Sequence, residues 1–112
     1  MNPEVSVKSL REVPREKAFY FFTSIGNYTG ESASSLKEFA EKVKLVNIKS
    51  LEFHLGRNDF EKWATEVLED KELAGKILRL QRSGLSGDSL RNRLYMMLSD
   101  HYDGLTYRFG RR

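Results

Sequence analysis

The sequence predicts a mainly α-helical protein, a compact bundle of about five short helices opened by one or two short β-strands. Three observations carry that expectation. Apolar residues recur at helical offsets of three and four in several windows from Leu36 onward. Most of these windows follow a Ser, Asn or Asp able to cap a helix. The one aromatic run, residues 18–25 (AFYFFTSI), is too short for a stable helix and rich in strand-favouring residues.

Residues 1–17 are polar and charged, with Pro3 and Pro14 placed to break a helix, and read as a loose N-terminal arm with a short turn near residues 9–12. The aromatic run reads as a buried extended segment. Residues 26–30 (GNYTG) are a turn signal, after which a short second strand would need helices to lie against. Ser35-Leu36-Lys37-Glu38 is a capping box, followed by Leu36, Phe39, Ala40 and Val43 on one face. Glu38 with Lys42 and Glu41 with Lys44 are expected to pair on the exposed side. That helix should end near Lys44, with Leu45 and Val46 turning inward.

Asn47 or Ser50 caps a second helix carrying Ile48, Leu51 and Leu55, and Gly56 is placed to be its left-handed end. Asn58 is the expected cap of a third, whose Phe60, Trp63, Ala64, Val67 and Leu68 form the clearest apolar stripe. Asp70 caps a fourth with Leu73, Ile77 and Leu80 inside. After the Gly/Ser break at residues 83–87, Asp88 or Ser89 caps a fifth carrying Leu90, Leu94, Met97 and Leu98, with Gly104 as its stop. A chain of 112 residues suits a single domain over residues 18–105. Residues 106–112 (TYRFGRR) form a basic aromatic tail, expected to add a short strand or fray.

Composition narrows the function classes. Zero Cys excludes disulfides, thiolate zinc sites and cysteine nucleophiles. No apolar run approaches the ~20 residues of a membrane span, and the charged N-terminus does not resemble a signal peptide. A cytoplasmic protein is therefore expected, with the charge-rich, Cys- and Gln-poor balance mildly thermophile-like. Asn27-Tyr28-Thr29 fits a glycosylation pattern but reads as loop chemistry without a secretory route. Charge is uneven: residues 1–70 hold ten Lys or Arg against twelve Asp or Glu, and residues 71–112 nine against four.

The central motif Phe53-His54-Leu55-x-Arg57-Asn58-Asp59-Phe60-x-x-Trp63, followed by Val67-Leu68-x-Asp70-x-Glu72-Leu73-Ala74, resembles the signature of a small archaeal and bacterial domain family of unknown function. The resemblance covers residues 18–80 and, more loosely, the last helix. It implies an accessory module and brings no catalytic residue or cofactor. This chain departs from it at Glu69, where the family often has Gly.

Two groups of residues are candidate sites. His54, Arg57, Asn58, Asp59 and Trp63 form a polar cluster. It reads either as an anion site near the start of the third helix or, with the residue types favouring it, as capping and packing. Lys76, Arg79, Arg82, Arg91, Arg93, Arg108, Arg111 and Arg112 are candidate nucleic-acid or anion contacts, with Lys76 and Arg79 sharing a helix face. His101 beside Asp100 and Asp103 is a weak metal candidate, and solvated helix-end charges are the competing reading. No nucleophile–base pair, H-x-x-H spacing or P-loop is present. The expected function is thus a non-enzymatic binding or adaptor module without cofactor or metal. It would act through a protein partner or self-association, with Tyr95, Met96 and Tyr102 as the first surface to inspect. The alternative is DNA or RNA binding through the Arg-rich C-terminal section.

Overall fold

The computed structural model describes residues 9–110. A short 3-10 turn (Arg15–Lys17) leads into an antiparallel hairpin of β1 (Phe19–Ser24) and β2 (Asn27–Ala33). Five helices follow: α1 (Leu36–Val43), α2 (Ile48–Gly56), α3 (Asp59–Glu66), α4 (Lys71–Arg82) and α5 (Gly87–Leu105), the last running on into a π turn (Thr106–Gly110). The mainly helical class with minor β character is the one the patterning predicts.

The hairpin forms because Phe19 and Phe21 alternate inward and both are buried, while Tyr20 faces out. The turn is tighter than the sequence suggested. Ile25 and Gly26 make it alone, with Gly26 at φ 83°, and Asn27 already belongs to β2. The register slips between Tyr20 and Phe22, giving β2 a bulge at Thr29–Glu31, where Gly30 has φ 90°. Thr29 holds it, its hydroxyl donating to the Phe21 carbonyl and accepting from the Glu31 N–H.

Local caps define most helix starts. Ser35 Oγ accepts from the Glu38 N–H at 3.1 Å, and Glu38 reaches back to the N–H of Ser34 at 2.7 Å. Asn47 caps α2, whereas Ser50 is buried within it. Gly87 N–H, at the start of α5, is held by Glu52 of α2 at 2.8 Å. Neither Asp88 nor Ser89 is the cap, since α5 begins at Gly87.

The left-handed residue after α2 is not Gly56, which stays helical, but Asn58, at φ 65°. Asn58 therefore precedes α3 without a side-chain capping bond. Asn is the non-glycine residue that tolerates this conformation best. Glu69 has φ 56°, a region that costs glycine least.

Four further expectations are corrected. The N-terminal arm is not loose where it is described: Val13 is buried and its N–H donates to the Ser34 carbonyl at 2.8 Å. Pro14 breaks the helix, and the extended stretch it creates docks on the domain. Val46 turns inward, but Leu45 is 72% exposed. Lys42 bonds Glu31 of β2 rather than Glu38, and this hydrogen bond raises its pKa. Gly104 does not stop α5, because Leu94, Leu98, His101 and Leu105 extend the buried stripe past it. The tail to residue 110 therefore continues as helical turns, and Arg111 and Arg112 lie outside the described residues.

The core is aromatic beneath the hairpin and aliphatic between the last helices. Phe19, Phe39 and Phe60 pack around Trp63 and His54, with ring centroids 4.8–5.8 Å apart in the pairs Phe19–His54, Phe39–Phe60, Phe39–Trp63 and Phe19–Trp63. Leu73, Ile77, Leu90, Leu94 and Leu98 fill the other end.

Candidate functional site

The central motif is built as a structural clasp. His54 points from α2 toward β1, and its Nε2 accepts the Phe22 N–H at 2.8 Å. That bond requires Nε2 to carry no proton, so Nδ1–H donates to Asp59 Oδ2 at 2.8 Å. Arg57 Nε donates to the same Asp59 oxygen at 3.1 Å, and its guanidinium lies over the Phe53 ring. Trp63 Nε1–H donates to the Lys17 carbonyl at 2.8 Å. The side chains of His54, Arg57, Asp59 and Trp63 thus fasten the hairpin and the chain before it to α2 and α3. Asn58 contributes through its left-handed backbone instead.

Burial pushes the His54 pKa below its ordinary value, outweighing the opposing pull of Asp59. The unfolded chain then takes up a proton near pH 6.5 that the folded chain resists. Stability contributed by neutral His54 is complete above about pH 6.5 and declines as pH falls toward the lowered folded value, by at most about 1.4 kcal/mol per pH unit. Urea unfolding across this range should show the decline. The His54 imidazole resonances should titrate below those of a model histidine, and titration at or above the model value would overturn the assignment.

A second clasp was not visible in the sequence. His101 of α5 is buried, its Nε2 lies 2.8 Å from Asp70 Oδ2, and its Nδ1 lies 3.0 Å from Lys76 Nζ. An ammonium only donates, so Nδ1 accepts and Nε2–H donates to Asp70. Asp70 also caps α4 through the Leu73 N–H at 3.0 Å. Burial alone would raise the Asp70 pKa. The hydrogen bonds from His101 and Leu73 outweigh it and hold the carboxyl below its usual range.

Both imidazoles therefore have both nitrogens engaged, in opposite tautomers. His101 has no nitrogen to offer a metal beside Asp100 and Asp103, which are exposed. Among the described residues no group of three metal-ligating side chains gathers.

The basic residues divide. Lys76, Arg79 and Arg93 line one cleft between α4 and α5, of about 240 Å³, together with Leu80, Ser83 and Met97. Lys76 also borders a second hollow toward the C-terminus of α5, shared with Glu72, Asp100, His101 and Arg108. Arg82 is exposed outside both hollows. Arg91 is turned away from Arg93 and spent on structure, donating to the Val43 and Val46 carbonyls at 2.8 Å each. Its position three before Leu94 and seven before Leu98 put it beside the buried stripe, and the helical period alone could have separated it from the set.

The apolar surface is not where it was expected. Tyr95 and Tyr102 are half-buried, with Lys44 over the Tyr95 ring, and only Met96 of that trio is exposed. The hairpin instead presents Tyr20, Ile25 and Tyr28, exposed by 37%, 81% and 48%. Beside them a hollow of about 330 Å³ is walled by Phe22, Ile25 and Phe53, with Arg57 at its edge. No described helix is long and apolar enough to cross a membrane. Compared with family models, curated proteins and solved structures, the chain matches none of them.

Proposed function

We propose that this chain is a non-enzymatic binding or adaptor module of the cytoplasm, acting through a protein partner or through a second copy of itself. The observation that carries this reading is the aromatic hollow at the hairpin. Tyr20, Phe22, Ile25, Phe53 and the Arg57 side chain line it, and the Tyr28 ring packs beside it against Tyr20 and Phe22. Aromatic residues and Arg are the side chains that concentrate binding energy at protein interfaces. The hollow is also mounted on elements fixed by the His54 clasp, so binding would order few additional side chains. The engagement of all four imidazole nitrogens, which leaves neither histidine poised as a general base, agrees with the reading.

The test is an Ile25→Glu, Tyr28→Glu variant compared with the parent by sedimentation velocity and by affinity capture from the native host. The expected result is self-association, or a specifically captured protein, that the variant loses while keeping the parent's thermal melt. A parent that stays monomeric and captures nothing beyond what the variant captures would remove the proposal.

A further inference from the structure

We infer that the α4–α5 cleft is a binding site for single-stranded nucleic acid, separate from the hairpin surface. Arg79 and Arg93 come from different helices to one hollow, and neither guanidinium meets a carboxylate or carbonyl among the described residues. Lys76, the third cation, is placed by its bond to His101 and lies 4.0 Å from Glu72. The contrast with Arg91 is informative: that guanidinium is consumed by two carbonyls, while Arg93, two residues on, is left open to the cleft.

The apolar lining selects among polyanions. Leu80 and Met97 share the cleft with the cations and give it apolar surface, which a chain of phosphates alone would not use. An unstacked base would use it, lying on the thioether and leucine with a guanidinium over its face. At about 240 Å³ the hollow is smaller than the roughly 300–1,000 Å³ of sites for drug-sized ligands, so it suits a base rather than a whole cofactor. A duplex keeps its bases stacked inside and could bring only phosphates to the rim. The cations line a recess rather than an outward helix face that could enter a major groove. Glu72 and Asp100 in the adjoining hollow oppose phosphate there and favour the cleft of Lys76, Arg79 and Arg93 over it.

The test is fluorescence anisotropy with labelled oligothymidylate and oligouridylate of about twelve nucleotides, within the range of single-strand site sizes. A duplex and an oligoglutamate of similar length serve as comparisons. Three phosphate contacts at about 0.7 each predict a log–log salt slope near −2 for the single strand. The Arg79→Gln, Arg93→Gln variant should bind about tenfold more weakly, with the slope reduced to about −0.7. Both residues are exposed, and removing equal charge elsewhere with Lys37→Gln, Lys49→Gln should change affinity far less. No single-strand binding at low salt, equal binding of duplex, equal binding of oligoglutamate, or an indifferent cleft variant would each overturn the inference. The oligoglutamate result would assign the cleft to acidic peptides instead.

Discussion

Trp63→Ala is expected to lower the unfolding free energy by about 3–5 kcal/mol, the range for truncating a buried aromatic side chain. Trp63 is 7% exposed and sits against Phe19 and Phe39, so the lost volume opens in the middle of the aromatic core. The same substitution releases the Lys17 carbonyl, the anchor of the N-terminal segment. Trp63→Phe separates the two effects. It keeps most of the ring volume and should cost less, the loss of the Lys17 bond accounting for about 1 kcal/mol. Equilibrium urea unfolding measures both, and a Trp63→Ala midpoint equal to the parent's would refute the core described above.

Asp70→Ala should be comparably damaging, at about 2–5 kcal/mol, from about 1–3 kcal/mol for each buried donor left unpaired. The carboxylate satisfies the α4 cap and the Nε2–H of a buried imidazole together, so its removal strands two donors at once. Asp70→Asn retains one carbonyl oxygen for those donors and should fall between parent and Ala. Acid should reproduce part of the loss. Because the folded pKa of Asp70 is depressed, its stabilisation is complete above the unfolded value near 3.9 and disappears as pH falls through the folded one. Thermal melts of the three proteins at neutral pH provide the ranking. An Asp70→Ala protein as stable as the parent would show that the second clasp contributes nothing.

The difference between these two residues marks what could be read from the sequence. Trp63 lies on a stripe with Phe60, Ala64 and Leu68, and a period of 3.6 places it in the core without any knowledge of its neighbours. The cap function of Asp70 was equally accessible, because a capping bond joins residues three apart. Its bond to His101 spans 31 positions, and that from Phe22 to His54 spans 32. Nothing in local patterning encodes such pairs. The left-handed turn falls at Asn58 and not at Gly56 for a related reason: propensity favours Gly, but the geometry joining α2 to α3 decides which residue bends. The basic cleft was partly legible. Lys76 and Arg79 were placed on one face, whereas Arg93 joining them depended on how two helices pack across a Gly/Ser loop.

The two clasps also have unequal dates in the life of the chain. The side-chain hydrogen bonds and ring contacts described for His54 and Trp63 join residues between Lys17 and Trp63. A ribosome has therefore made every participant in them before it reaches α4. Asp70 must wait for His101, 31 residues later, for the imidazole bond to its second oxygen. The hairpin half can consolidate while α5 is still being synthesised, and a message truncated before residue 101 would yield a chain in which Asp70 caps the fourth helix without the imidazole it meets in the longer chain.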